Sequence, residues 1–232
     1  MRKCLLASVS LLALVATSLS SQAADLAIRK APAYRAPAIV APVINPWTGL
    51  YAGWNLGYGW ERFGDSALPR VNTGDGIFGA QVGYNWQAGN WVYGLEGDIQ
   101  TTFGHVGTAS GTCNNALGCN LNARLNGFGT IRGRVGSLIG PGLLYVTGGA
   151  AFMNIGGELQ VPAQSAITSM GGTWRTGYTV GAGYEQMLWD RWSGKIEYLY
   201  MAAKGPSLTA GTATGAVDLR EHLLRAGLNY HF

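Results

Sequence analysis

The chain has 232 residues, enough for one substantial domain, and only 12% of them are charged, about half the ~25% usual in soluble proteins. Glycine accounts for 36 residues and aromatics for 11%, including 8 Trp and 11 Tyr, with no collagen-like period. Glycine and aromatics rising together while charge falls does not suit a soluble enzyme; it suits a sheet with one face in lipid and aromatic girdles at both interfaces.

The first element is a targeting segment. Arg2 and Lys3 form a basic start, Leu5 to Leu19 is an apolar stretch softened by Ser and Thr, and Ser21-Gln22-Ala23 supplies small residues for a signal peptidase. Residues 1–23 are expected to be removed by cleavage between Ala23 and Ala24. The run is short of the ~20 residues of a spanning helix. Cys4 precedes it and so is not the lipidated Cys of a lipoprotein. No other segment reaches 18 unbroken apolar residues, which excludes a helical membrane protein. Loss of Arg2 and Lys3 takes the net charge from +4 to +2 (14 basic minus 12 acidic), which gives no support for nucleic-acid binding.

Residues 24–46 read as an Ala/Pro linker, with Pro32, Pro37, Pro42 and Pro46 and the basic Arg29, Lys30 and Arg35. Proline at this spacing blocks helix and sheet alike and favours an extended chain. At about 3.1 Å per residue such a chain reaches roughly 70 Å.

From residue 47 to 232 the period is two. Leu50, Ala52, Trp54, Leu56, Tyr58 and Trp60 alternate with residues that are mostly Gly and Asn, so one strand face is apolar and the other small or polar. The signature recurs. Phe78 to Trp86 alternates with Gly79, Gln81, Gly83 and Asn85. Trp91, Tyr93, Leu95 and Ile99 oppose Glu96, Asp98 and Gln100; Ile131 and Val135 oppose Arg132 and Arg134. Leu144 to Phe152 is a fifth strand. Trp174 to Tyr184 opposes Arg175, Thr179 and Glu185; Ile196, Tyr198 and Tyr200 oppose Lys195 and Glu197; Leu224 to Phe232 opposes Arg225, Asn229 and His231.

Eight segments of this length match tilted membrane-spanning strands. A soluble β-sandwich also alternates, but here the charges lie opposite the aromatics, and connections alternate short and long. Short ones fall near 88–90, 137–142 and 187–191; long ones cover about 61–75, 102–123, 155–172 and 202–216. The expected fold is all-β: an eight-stranded antiparallel transmembrane barrel with short periplasmic turns and long outer connections. Trp54, Val82, Leu95, Val180, Ile196 and Leu228 face lipid. Cys113 and Cys119, an even pair in an exported chain, read as a disulfide. Metal binding is the competing reading, but His105 is the one nearby imidazole and no second C-x-x-C exists.

At these residues the sequence resembles the small alphaproteobacterial outer-membrane proteins of the major surface-antigen, porin-like type. The resemblance is carried by Trp47-Thr48-Gly49-Leu50-Tyr51-Ala52-Gly53, Gly79 to Gln87, Gly94-Leu95-Glu96-Gly97-Asp98 and Phe128 to Gly136. Tyr145 to Gly149, Lys195 to Tyr200 and Arg225 to Phe232 complete it. It spans nearly the whole expected barrel in order. It implies an outer-membrane location, contact with lipid and lipopolysaccharide, and a mainly structural or surface role. The family also includes proposed porins and haemin binders, so a narrow porin or small-ligand binder stands as the alternative. Some members are attached to peptidoglycan through a small residue followed by an acidic one, the form of Ala24-Asp25.

Candidate site residues follow from parity. Glu96, Asp98, Arg132, Arg134, Lys195, Glu197 and Arg225 all face inward. Two nearby carboxylates invite an acid/base reading, but an eight-stranded barrel is just wide enough for side chains to fill it, and buried charges must be paired. A structural ion-pair network is the expectation. Leu224, Ala226, Leu228, Tyr230 and Phe232 form an amphipathic last strand of the kind read by the barrel assembly machinery, which pairs it by edge hydrogen bonds. The three histidines are scattered, and no nucleophile elbow, zinc motif or phosphate loop occurs. No enzyme and no cofactor are expected.

Overall fold

A computed structural model of the chain describes residues 46–64, 68–103, 105–113, 117–205, 207–211 and 213–232. The expected signal segment 1–23, the Ala23/Ala24 cleavage point, Asp25 and the linker up to residue 45 lie outside the described residues.

The period-two segments form β1 (Gly49–Phe63), β2 (Val71–Ala88), β3 (Trp91–Thr102), β4 (Gly107–Cys113), β5 (Leu117–Ile139) and β6 (Gly142–Val161). They continue as β7 (Ala166–Trp189), β8 (Trp192–Ala203), β9 (Ser207–Ala210), β10 (Ala213–Ala216) and β11 (Leu219–His231). Eight of them pair antiparallel in the order β3-β2-β1-β11-β8-β7-β6-β5, and the β3–β5 pairing closes the ring. Closure removes the sheet edges and leaves every backbone ladder satisfied within the wall, as lipid demands.

One rim carries three two-residue turns, at Gly89-Asn90, Gly140-Pro141 and Asp190-Arg191. Gly89 and Gly140 both take φ 59°, and Asp190 φ 43°. Glycine enters that left-handed region without a Cβ penalty. The same rim holds the start of β1 and the end of β11, where the Phe232 N–H donates to the Leu50 carbonyl at 3.0 Å. The opposite rim carries the long connections, and much of their length is strand rather than coil. β5, β6 and β7 run to 23, 20 and 24 residues, against the ~9–11 that cross a bilayer. β4 pairs with the outer part of β5, and the β9–β10 hairpin packs against β6 and β7.

Trp54, Val82, Leu95, Val180 and Ile196 all point outward and are exposed in the bare protein; Leu228 is outward and half-buried. Aromatic pairs mark both ends of this apolar belt. Tyr84–Trp86, Trp192–Tyr230 and Tyr230–Phe232 stand near the short turns. Tyr58–Trp60 and Tyr178–Tyr200 stand at the far end. On the inner wall glycine makes room for large side chains. A Cβ on Gly83 would meet the Tyr51 hydroxyl at 2.2 Å, and one on Gly183 would meet the Tyr145 ring at 2.6 Å. The rings lie across these glycines as cross-strand fillers.

Candidate functional site

The lumen is where the charged residues converge, and it is filled at three levels. Nearest the short turns, Trp47, Val92, Leu143 and Tyr145 form a buried apolar cluster, with the Trp47 ring edge-on to His231 at 5.7 Å.

Above it lies a layer of eight charges, four acidic (Glu96, Asp98, Glu185, Glu197) and four basic (Arg132, Arg134, Lys195, Arg225), every one at most 5% exposed. Register places Glu96 beside Arg132 and Glu197 beside Arg225 on neighbouring strands. The Arg132 guanidinium donates to Glu96, to Asp98 at 2.9 Å and to Glu197 at 3.1 Å. Arg225 reaches Glu197 at 2.6 Å and Asp98 at 3.0 Å. Lys195 Nζ donates to both Glu96 oxygens, at 3.0 and 3.1 Å, and Arg134 to Glu185 at 2.9 Å. The Tyr51 and Tyr145 hydroxyls cap Glu96 and Glu197, each at 2.8 Å. Charge balance and dense hydrogen bonding are the conditions under which buried ions are tolerated. Glu96 and Asp98 share one Arg132 nitrogen, so the carboxylate pair is neutralised in place, and that geometry serves wall-to-wall bracing.

The third level is apolar except for three buried carboxyls, Glu61, Asp75 and Glu221, on the β1, β2 and β11 wall. Ile77, Phe128, Met153, Leu199, Met201 and Leu223 fill the lumen and are continuous with a core between the outer extensions, built on Leu121, Leu125, Ile155, Leu159, Leu208 and Val217. Cys113 and Cys119 are disulfide-bonded at the β4–β5 tip and buried against this core.

The seven charged residues marked by the sequence thus lie in one layer. Glu185, Tyr51 and Tyr145 complete it and were not singled out, although all three share the inward parity of their strands. Glu61, Asp75 and Glu221 are a further miss. They are buried on the inner wall near the outer end, Glu61 facing Glu221 in register, and no described group hydrogen-bonds to either glutamate. Glu61 and Asp75 fall in the 61–75 stretch that reads as a connection, and Glu221 precedes the alternation that opens at Leu224. The histidines stay apart. His105 Nδ1 meets Asp75 Oδ1 at 2.6 Å, His222 meets the Tyr198 hydroxyl at 2.6 Å on the outer surface, and His231 meets Ser193 inside at 2.9 Å. Among the described residues no three His, Cys, Asp or Glu side chains are arranged to hold a metal ion. Leu224, Ala226, Leu228, Tyr230 and Phe232 all point away from the lumen along β11.

A closed eight-stranded barrel with a lipid-facing apolar belt, two aromatic girdles and an ion-paired lumen defines a bacterial outer-membrane protein. Comparison with known proteins agrees. The profile of the outer membrane protein beta-barrel domain matches residues 9–232. The chain is 32% identical to the 25 kDa outer-membrane immunogenic protein of Brucella canis, over 95% of this chain and 94% of the relative. It is 35% identical to the 22 kDa outer membrane protein of Rhizobium leguminosarum bv. viciae, over 83% and 82%. Against the solved outer membrane protein OprG from Pseudomonas aeruginosa it is 15% identical with a TM-score of 0.47, covering 80% of this chain and 97% of that one. The chain belongs to the outer membrane protein beta-barrel domain family, and its location is the outer membrane.

Proposed function

We propose that this protein is a structural element of the cell envelope, with the barrel as anchor, the outer extension facing the surroundings and the N-terminal segment directed toward the wall. The filled lumen carries the reading. Side chains are packed inside the ring at three successive levels, the outermost apolar but for three buried carboxyls on one wall, as expected where eight strands leave room for side chains and no more. Single-channel recording in planar bilayers tests it directly. Purified protein is expected to leave the membrane at background conductance, and reproducible ohmic steps would favour a narrow porin instead.

Three partners belong to this reading. The outward row Leu224, Ala226, Leu228, Tyr230 and Phe232 suits recognition of β11 by the barrel assembly machinery, since an amphipathic strand offers both edge hydrogen bonds and an apolar face. The apolar belt and girdles suit outer-membrane lipid and lipopolysaccharide. Cleavage after Ala23 would present Ala24-Asp25 for attachment to peptidoglycan, and a Pro-rich stretch, if extended, would supply the reach. Mass spectrometry of lysozyme-digested sacculi is expected to recover Ala24 linked to a wall fragment; a free Ala24 amine in all recovered protein rejects the covalent bond. The Brucella relatives are named immunogenic, and outer extensions held on a packed core suit a surface antigen here as well.

A further inference from the structure

On the outer surface, the lipid-facing rows of β1 and β11 are uncharged from Leu50 to Trp60 and from Leu224 to Tyr230. The next outward position beyond the aromatic ring on each strand is an arginine, Arg62 on β1 and Arg220 on β11. These two are register partners and both are exposed. Arg70 joins them across a hollow of about 390 Å³ that they line together with Tyr200, Asp218 and His222. Lys204 and Arg220 line an adjoining hollow of about 360 Å³. No ion pair involves Arg62, Arg70, Lys204 or Arg220 among the described residues. The one carboxylate of the group, Asp218, has Oδ1 accepting from the Gly205 N–H at 3.1 Å, while its carbonyl accepts from the Gly64 N–H at 3.0 Å. Asp218 thus ties the segments on either side together and pairs with none of the cations, which number four against its single negative charge among the described residues.

Below this group lies an aromatic ledge. Trp60, His222 and Tyr200 are successive register partners, with the Tyr200 and His222 rings 5.2 Å apart and Tyr178 beyond them. Guanidinium groups directly above an interfacial aromatic ring sit at headgroup depth. Their planar forks match phosphate oxygens two at a time.

We propose that Arg62, Arg70, Arg220 and Lys204 bind the phosphate groups of the phosphorylated glycolipid of the outer leaflet, with acyl chains lying on the Trp60–His222–Tyr200 ledge. The proposal rests on the reading that the long strand extensions face outward. The occupant follows from charge and position together: a multiply phosphorylated headgroup meets three or four unpaired cations, whereas the lipid belt below offers only apolar contacts.

The test uses the purified full barrel in detergent, where orientation plays no part, and native mass spectrometry to count bound lipid. The probes are bisphosphorylated lipid A, dephosphorylated lipid A, phosphatidylglycerol and inorganic phosphate. The variants are R62Q/R70Q/R220Q and, as a control at the short-turn rim, R191Q. Heat-modifiable gel migration checks that each is folded; should the triple variant fail it, R62Q/R220Q and the single R70Q replace it. The wild type and R191Q should retain bisphosphorylated lipid A at least tenfold better than the dephosphorylated form, and the triple variant should lose that preference. Raising the salt should weaken the preference in the wild type. Equal retention by the triple variant, or equal retention of dephosphorylated lipid A, overturns the proposal. So does tighter binding of phosphatidylglycerol, and so does displacement by millimolar inorganic phosphate, which would mark a simple anion site. Conductance in the bilayer assay bears on the envelope role and leaves this outcome untouched.

Discussion

Arg132 stands directly across from Glu96 in the β3–β5 register and also spans the lumen to Glu197 on β8 at 3.1 Å. One side chain thus holds three walls together.

Arg132→Met leaves Glu96, Asp98 and Glu197 short of a buried cation, and removal of one partner of such a network costs about 3–5 kcal/mol. Denaturant unfolding in micelles should show that loss. Arg225→Glu should be comparably harmful, and combining it with Glu197→Arg should recover part of the stability. Wild-type stability in the Arg132 variant would mean the layer is solvated.

Gly83→Ala places a methyl group where the Tyr51 hydroxyl stands, 2.2 Å away. Tyr51 is fixed from its other side by Glu96, so the clash is expected to cost about 1–3 kcal/mol as overpacking. Gly89→Ala, in an open turn with nothing within 4 Å, pays only for its positive φ. Comparison of the two melting curves separates crowding from backbone strain.

Glu61 and Glu221 face each other with no donor to either. Two buried carboxyls facing each other without a donor are costly to fold in either protonation state, so Glu221→Gln should raise stability at pH 7 by about 1 kcal/mol or more. A fall instead would show that this pair is held by a cation in the native membrane.

The Cys113–Cys119 bond closes a ring of sequence separation 6, and a ring so short contributes at most about 2–3 kcal/mol to the unfolded-state term. Both half-cystines lie on the outer core, beyond the membrane ring of β3 and β5. Reduction should expose the β4–β5 hairpin to protease while the heat-modified gel shift of the barrel is retained. Collapse of the barrel on reduction would show that the outer core and the ring fold as one unit.

Much of this architecture was legible because parity survives from strand to strand: Trp54 beside Asn55, Leu95 beside Glu96 and Ile196 beside Glu197 each declare which side is lipid. Glu185 was legible on the same rule, but two glycines before it weakened the pattern. The outer third was harder. Glu61, Asp75 and Glu221 follow the inward parity beyond the aromatic ring, yet they lie past the ~9–11 residues that cross a bilayer, where alternation no longer separates lipid from lumen. The β5–β7 extensions were hidden for a related reason. Beyond lipid a strand need not be apolar outside, so Asn122, Glu158 and Thr168 read as loop. The bulges after Leu125 and Ile155 also shift the phase.

The seating of β1 has a mechanical consequence. The chain enters the wall at Gly49 and runs the full height of the ring to Phe63, laddered to β2 on one side and β11 on the other. Antiparallel ladder bonds lie perpendicular to the strand. A pull arriving through residue 46 and directed along β1 therefore strains all of those bonds together in shear, rather than peeling them apart one by one. The Trp47 ring, buried against His231 and Tyr51's neighbourhood in the short-turn rim, acts as a stop at the entry point. A load entering there would be shared by both ladders at the corner where the two ends of the wall meet.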